Sequence, residues 1–226
     1  VTQVRGGSPY GSATIAGEGI AHFRVSGRNL LEKFSTESAL MDPELRQTTL
    51  EANRQLVPFF REMLLTDAEG QVIAIAPQDT TDSDLSPEET LLVKKALQFG
   101  MSDEVQLIKL PSGAVRMTFV HPLSNGQEEK ATGALLGRVQ LDINPEIQRV
   151  LTALQAAQGV GEGFLVDDRD LIVLHPNPDV VGRPWRTNPN ALTWEVGSGL
   201  AYRDLSASNN ESTLFYIRDI EGTPFT

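Results

Sequence analysis

Cysteine is absent from all 226 residues. That excludes a disulfide scaffold and any zinc site built on thiolates. Basic residues are scarce: 19 Lys and Arg stand against 30 Asp and Glu, a net charge of −11. So acidic a chain has no electrostatic footprint for nucleic-acid phosphates or for an anionic lipid surface. No apolar run approaches the length of a membrane span, and no secretory leader pattern is visible. His22, His121 and His175 are too scattered to share a metal ion. No Gly-rich stretch ends in Lys-Ser/Thr, and no Gly-x-Ser-x-Gly elbow occurs. No nucleophile, base and orienting group stand together, so nothing marks an enzyme, and no cofactor is expected. Asp167, Asp168 and Asp170 lack the Gly and closing Glu of a calcium loop, which leaves them as a solvated turn.

What is present reads as ordinary globular protein, with 40% hydrophobic and 22% charged residues. Gly6, Gly7, Pro9 and Gly11 give residues 1–12 the look of a frayed end. A helix is expected over 14–37, weakened by Gly17, Gly19 and Gly27 at about 1 kcal/mol each. Asp42-Pro43-Glu44 opens a second helix, with a cap, a first-turn proline and an acidic residue at the positive end. Ser86-Pro87-Glu88-Glu89 opens a third in the same way, ended by Gly100. Strands are expected over 103–110, 114–121 and 132–141. Asn144-Pro145 starts a helix with an apolar stripe of Ile147, Val150, Leu151 and Leu154. Residues 184–194 read as loop, and 199–205 and 212–218 as strands.

Two segments repeat one design. Residues 60–77 run from a strand through Asp67-Ala68-Glu69-Gly70 into a second strand ending at Pro77. Residues 163–176 run from a strand through the acidic turn Asp167–Asp170 into a second strand ending in His175-Pro176, then Val180-Val181-Gly182. Turn residues of this kind cap their own backbone, and proline ends the ladder. Duplicated supersecondary units indicate a duplicated module.

The order and spacing of these pieces resemble a double Cache domain, the PAS-like sensor module found outside the membrane in bacterial receptors. The resemblance covers nearly the whole chain. It implies an α+β fold: a long N-terminal helix and two PAS-like modules, each an antiparallel sheet with covering helices. The implied divisions are a helical stalk over 13–58, a membrane-distal module over 59–158 and a C-terminally truncated proximal module over 159–226. The implied function is small-molecule sensing for a membrane receptor of histidine kinase, chemoreceptor or cyclase type. The chain then reads as an extracytoplasmic piece of a longer protein, anchored through flanking spans, with a homodimer open to the full receptor. The competing reading is a soluble periplasmic solute-binding protein, or an enzyme, that shares the hairpin pattern by chance.

Within the resemblance the distal module carries the ligand, under the covering segment 82–99. Strand alternation puts Arg116, Thr118 and Val120 on one face and Met117, Phe119 and His121 on the other. Arg116 is either a pocket guanidinium holding a carboxylate, which makes an organic anion a candidate ligand, or a solvated strand residue. Asp142 corresponds to a strand-end Asp that pairs with a ligand ammonium in amino-acid-sensing members, or it caps the following helix. The ligand-binding candidates are therefore Arg116, Thr118 and Asp142. Residues 85–95 depart from the amino-acid-binding pattern, since they hold no Arg, Trp or Tyr. His175 reads as a strand-end residue with a local hydrogen bond, and Trp185 and Trp194 as packing residues. Gln158-Gly159-Val160-Gly161 reads as a hinge between modules.

Overall fold

A computed structural model describes residues 9–80, 82–100, 105–124, 131–155, 163–167, 170–175, 177–185, 192–196, 199–205 and 212–217. Helix α1 spans Pro9–Ser35, and a short 3-10 turn covers Ser38–Leu40. α2 is Arg46–Leu56, followed by strands β1 (Glu62–Asp67) and β2 (Val72–Ala76). α3 is Pro87–Phe99; β3, β4 and β5 are Gln106–Lys109, Val115–Leu123 and Gly133–Gln140. α4 (Pro145–Gln155) leads to β6 (Leu165–Val166) and β7 (Ile172–Leu174). Strands β8 (Leu192–Val196), β9 (Gly199–Leu205) and β10 (Ser212–Ile217) follow.

The chain divides into two compact units. One comprises Val25–Leu110 and Val115–Asn144. Its five strands form one antiparallel sheet in the order β2-β1-β5-β4-β3. The other unit holds the N-terminal part of α1, the turn Pro111–Ala114 and everything from Pro145. It contains a two-stranded sheet of β6 and β7 and a three-stranded sheet ordered β10-β9-β8. The two hairpins that share one design in the sequence thus lie in different sheets. The fold is α+β, with antiparallel sheets and covering helices.

The five-stranded sheet is buried on both faces. α3 covers one face, where Leu92, Val93 and Ala96 pack on Leu64, Val120, Ala134 and Leu136. α3 begins where its local sequence dictates. Ser86 Oγ accepts from the Glu89 N–H at 3.1 Å, and Glu89 returns a carboxylate oxygen to the Ser86 N–H at 3.0 Å. Gly100 ends the helix at φ 71°, in the left-handed region that glycine enters without a Cβ penalty. The opposite face carries the ring cluster Phe59, Phe60 and Phe119, with centroids 4.9 to 6.1 Å apart in edge-to-face pairs. Here Gly27 of α1 lies against the rings: a Cβ on it would stand 2.6 Å from Phe119 Cζ. In the other unit a Cβ on Gly19 would stand 2.9 Å from Val150 Cγ2. The glycines that weaken α1 on propensity alone are places of close approach.

Three boundaries differ from expectation. α1 begins at Pro9, inside the stretch read as a frayed end. Asp42 accepts the Glu44 N–H at 2.8 Å in the turn ahead of the helix, but it is not the cap: regular helix starts only at Arg46, with Leu45 at the N-cap and no side-chain capping bond. The Leu45 and Arg46 N–H groups both donate to the Asp42 carbonyl, which tightens the first turn. β8 occupies residues read as the end of a loop; its partner β9 pairs along its whole length. α2 docks by a side chain acting as backbone: Gln47 Nε2 donates to the Ile75 carbonyl at 2.8 Å, and Gln47 Oε1 faces the Ile75 N–H at 3.4 Å. That pairing covers the open edge of β2.

Candidate functional site

The α3 face of the large sheet changes character along the strands. Toward one end it is apolar. Toward the other, Arg116 and Thr118 of β4 and Arg138 of β5 replace aliphatic side chains, and Thr118 sits opposite Arg138 in register. Into this gap α3 lowers Glu89. The residue shares the helix face of Leu92, Val93 and Ala96, three, four and seven positions further on. Glu89 is 0% exposed, Arg138 1% and Arg116 5%.

Glu89 collects five hydrogen bonds. Oε1 accepts from Thr118 Oγ1 at 2.6 Å and from Arg138 Nε at 2.9 Å. Oε2 accepts from Arg138 Nη2 at 2.7 Å, the Ser86 N–H at 3.0 Å and Arg116 Nη2 at 3.3 Å. Arg138 grips the carboxylate side-on with two of its nitrogens, the paired geometry that makes arginine the preferred carboxylate partner. Its remaining donors reach Glu62 Oε2 at 3.1 Å and the carbonyls of Asp82 and Asp84. All five N–H groups of this guanidinium are therefore engaged. Arg116 Nη1 also pairs with the carboxylate of Asp82, a residue about half exposed in the loop before α3. Among the described residues the buried Arg116 Nε has no hydrogen-bond partner. The network ties the covering loop and helix to the floor of the sheet.

Burial pushes the Glu89 carboxyl up, but the hydrogen bonds and charge of Arg138, with Thr118 and the Ser86 N–H, outweigh it. The group is held below its ordinary 4.5. Burial likewise lowers Arg138, and its bonds with Glu89 and Glu62 more than reverse the effect. On the other sheet face, burial holds His121 below its ordinary 6.5, partly offset by the charge of Glu32 on α1.

These directions set the acid response. A carboxyl lowered on folding stabilises the native state above about pH 4.5, and that contribution is lost as pH falls through its folded value. A histidine lowered on folding is protonated first in the unfolded chain, so stability also falls as pH drops below about 6.5. Urea midpoints should therefore fall in two stages on acidification. His121→Gln should flatten the stage that begins below about pH 6.5 and leave the lower one. An unchanged slope in that window would remove His121 from the account.

Of the residues singled out by sequence, Arg116 and Thr118 come together here. Arg116 is not a solvated strand residue; it is buried and holds the chain's own carboxylates. Asp142 stands exposed in the turn after β5 and is not among the partners of Glu89, Arg116 or Arg138. Asn144 immediately precedes α4, and its side-chain amide donates to the Phe59 carbonyl at 3.0 Å. Sequence reasoning did not single out Glu89 and Arg138, which complete this cluster. Their signals were a lone Arg inside the apolar run Gly133–Gln140, and a Glu on the apolar stripe of its helix.

Local bonds hold the described residues of the second unit. His175 Nδ1 accepts the Asn177 N–H at 2.8 Å, as a strand-end residue with a local bond. Trp185 Nε1 donates to Asp170 at 2.9 Å while its ring packs with Val166 and Ile172. Asp167 Oδ1 caps the Leu171 N–H at 2.9 Å. Among the described residues no helix is long and apolar enough to cross a membrane. Asp168, the side chain of Trp194 and the link Gln158–Gly161 lie outside the described residues.

A five-stranded antiparallel sheet ordered 2-1-5-4-3, with α3 and its loop closing one face over a polar cluster, defines a PAS-like module. Over about nine-tenths of its length the chain has the fold of Cache-type sensor domains. It is similar to the ligand-binding domain of the Pseudomonas fluorescens chemoreceptor CtaA in complex with L-leucine. That match has TM-score 0.63 and 18% identity, over 93% of this chain and 86% of that one. It is similar to the ligand-binding domain of the Pseudomonas aeruginosa amino-acid chemoreceptor PctC in complex with GABA, with TM-score 0.59 and 20% identity over 90% and 93%. The L-Gln complex of P. aeruginosa PctB gives TM-score 0.54 and 18% identity over 92% and 86%. No family model and no curated protein matches the chain.

Proposed function

We propose that this chain is the extracytoplasmic small-molecule sensing part of a membrane signalling receptor. The observation that carries this reading is the likeness to chemoreceptor ligand-binding domains over about nine-tenths of the chain. The module arrangement we favour is a stalk over 13–58, a ligand-binding distal module over 59–158 and a proximal module over 159–226. The output, whether kinase, cyclase or chemotaxis adaptor, would lie beyond flanking membrane spans. The ligand site is the α3 face of the five-stranded sheet, floored by Arg116 and Thr118, with Asp142 as the third candidate at the end of β5. Arginines from the floor make a small organic anion the favoured ligand class. The covering segment, with no Arg, Trp or Tyr over 85–95, supports that class over the amino acids bound by the similar receptors.

A thermal-shift screen of organic acids, amino acids and sugars on this chain tests the reading, since native-state binding raises the melting temperature. For an anionic ligand so found, Arg116→Ala is expected to weaken binding by about tenfold or more. Unchanged affinity would put Arg116 outside the site, and Asp142→Ala in the same titration decides the third candidate. A full-length gene product with no membrane span on either side of this segment would sink the receptor reading in favour of a soluble binding protein.

A further inference from the structure

The cluster under α3 has the composition of a free-carboxylate site, yet its carboxylate belongs to the chain. Three donor side chains converge on it from the sheet alone: Arg116 and Thr118 from β4, Arg138 from β5. None of them comes from the helix that supplies Glu89. Removing Glu89 would leave these donors on paired strands, held further by Glu62, Asp82 and the loop carbonyls. Among the described residues the buried Arg116 Nε–H has no acceptor, a donor that Glu89 does not fill.

We propose that Arg116, Thr118 and Arg138 form a binding site for a small monocarboxylate, and that Glu89 plugs it as a tethered ligand. The plug competes from the same chain, at the high effective concentration of any tethered group. A free carboxylate therefore gains the cradle only when the Glu89 side chain leaves it. Leaving has a structural consequence. The same Oε2 that faces the arginines also accepts the Ser86 N–H and completes the capping box of α3. A ligand in the cradle and a complete capping box on α3 exclude one another. Occupancy would thus be read out as loosening of the helix start and of the loop that Arg138 holds through the Asp82 and Asp84 carbonyls. This deepens the sensing reading. A failed test would remove the plug alone, because the screen on the unaltered chain decides sensing separately.

The test is chemical rescue of Glu89→Ala, melted in about 50 mM sodium acetate, propionate or chloride, with ethylammonium chloride as a cation control. Acetate and propionate are expected to raise its melting temperature saturably, by about 2–4 °C or more, with chloride and ethylammonium without effect. Glu89→Gln, whose side chain still fills the space, should not respond, and the unaltered chain should respond far less than Glu89→Ala because its plug competes. Should Glu89→Ala fail to fold in chloride, recovery of the fold in acetate supports the plug, and failure in both overturns it. No rescue of a folded Glu89→Ala, or an equal rise in Glu89→Gln, likewise overturns it.

Discussion

Arg138→Met is expected to cost about 3–5 kcal/mol of unfolding free energy. Methionine matches much of the aliphatic volume, so little of the loss is packing. It comes from the acceptors left behind. Both oxygens of the fully buried Glu89 lose Arg138, and so do Glu62 and the carbonyls of Asp82 and Asp84. A buried carboxylate left with Arg116 at 3.3 Å as its one charged partner must then be carried charged, or protonated with its pKa raised by the burial that Arg138 had outweighed. Removing both partners is cheaper than removing one. Arg138→Met with Glu89→Leu should therefore be more stable than Arg138→Met alone, with Arg116 still held by Asp82. Urea unfolding followed by far-UV circular dichroism reads both. A loss below about 1 kcal/mol for the single variant would mean that water already serves these groups.

The elements around this site were largely legible, because their signals are local. Ser86-Pro87-Glu88-Glu89 and Gly100 specify the start and stop of α3 without help from elsewhere, and the Asp-rich turns mark both hairpins. The strand alternation that separated Arg116, Thr118 and Val120 from Met117, Phe119 and His121 corresponds to the two covered faces of the sheet. What stayed hidden depends on partners far away in the chain. Glu89 read as a capping residue, which it is; its second role needs Arg138, and only the fold brings the two together. Arg116 stayed undecided because alternation gives a residue its face but not whether that face is covered. β8 was missed because its pairing with β9 decides the strand. The glycines of α1 read as defects, since propensity describes an isolated helix and these positions are set by what the helix touches.

That last point gives the second large effect. Phe119 is buried against Phe59 and Phe60 on one side and Gly27 of α1 on the other. Truncating it to Ala is expected to cost about 3–5 kcal/mol, the transfer term plus a cavity that the strand backbone cannot close. Gly27→Leu alone should also destabilise, by about 1–3 kcal/mol, because its side chain must displace rigid rings. Leucine helps the isolated helix by less than that, since the gain over glycine is about 1 kcal/mol at most. The two changes are complementary in shape: the first vacates the space that the second needs. In the double variant the leucine can fill the cavity, so the combined loss should fall well short of the sum of the single losses. A coupling of at least about 1 kcal/mol is expected in the double-mutant cycle. Strict additivity would show that α1 does not seat Gly27 against this ring in solution.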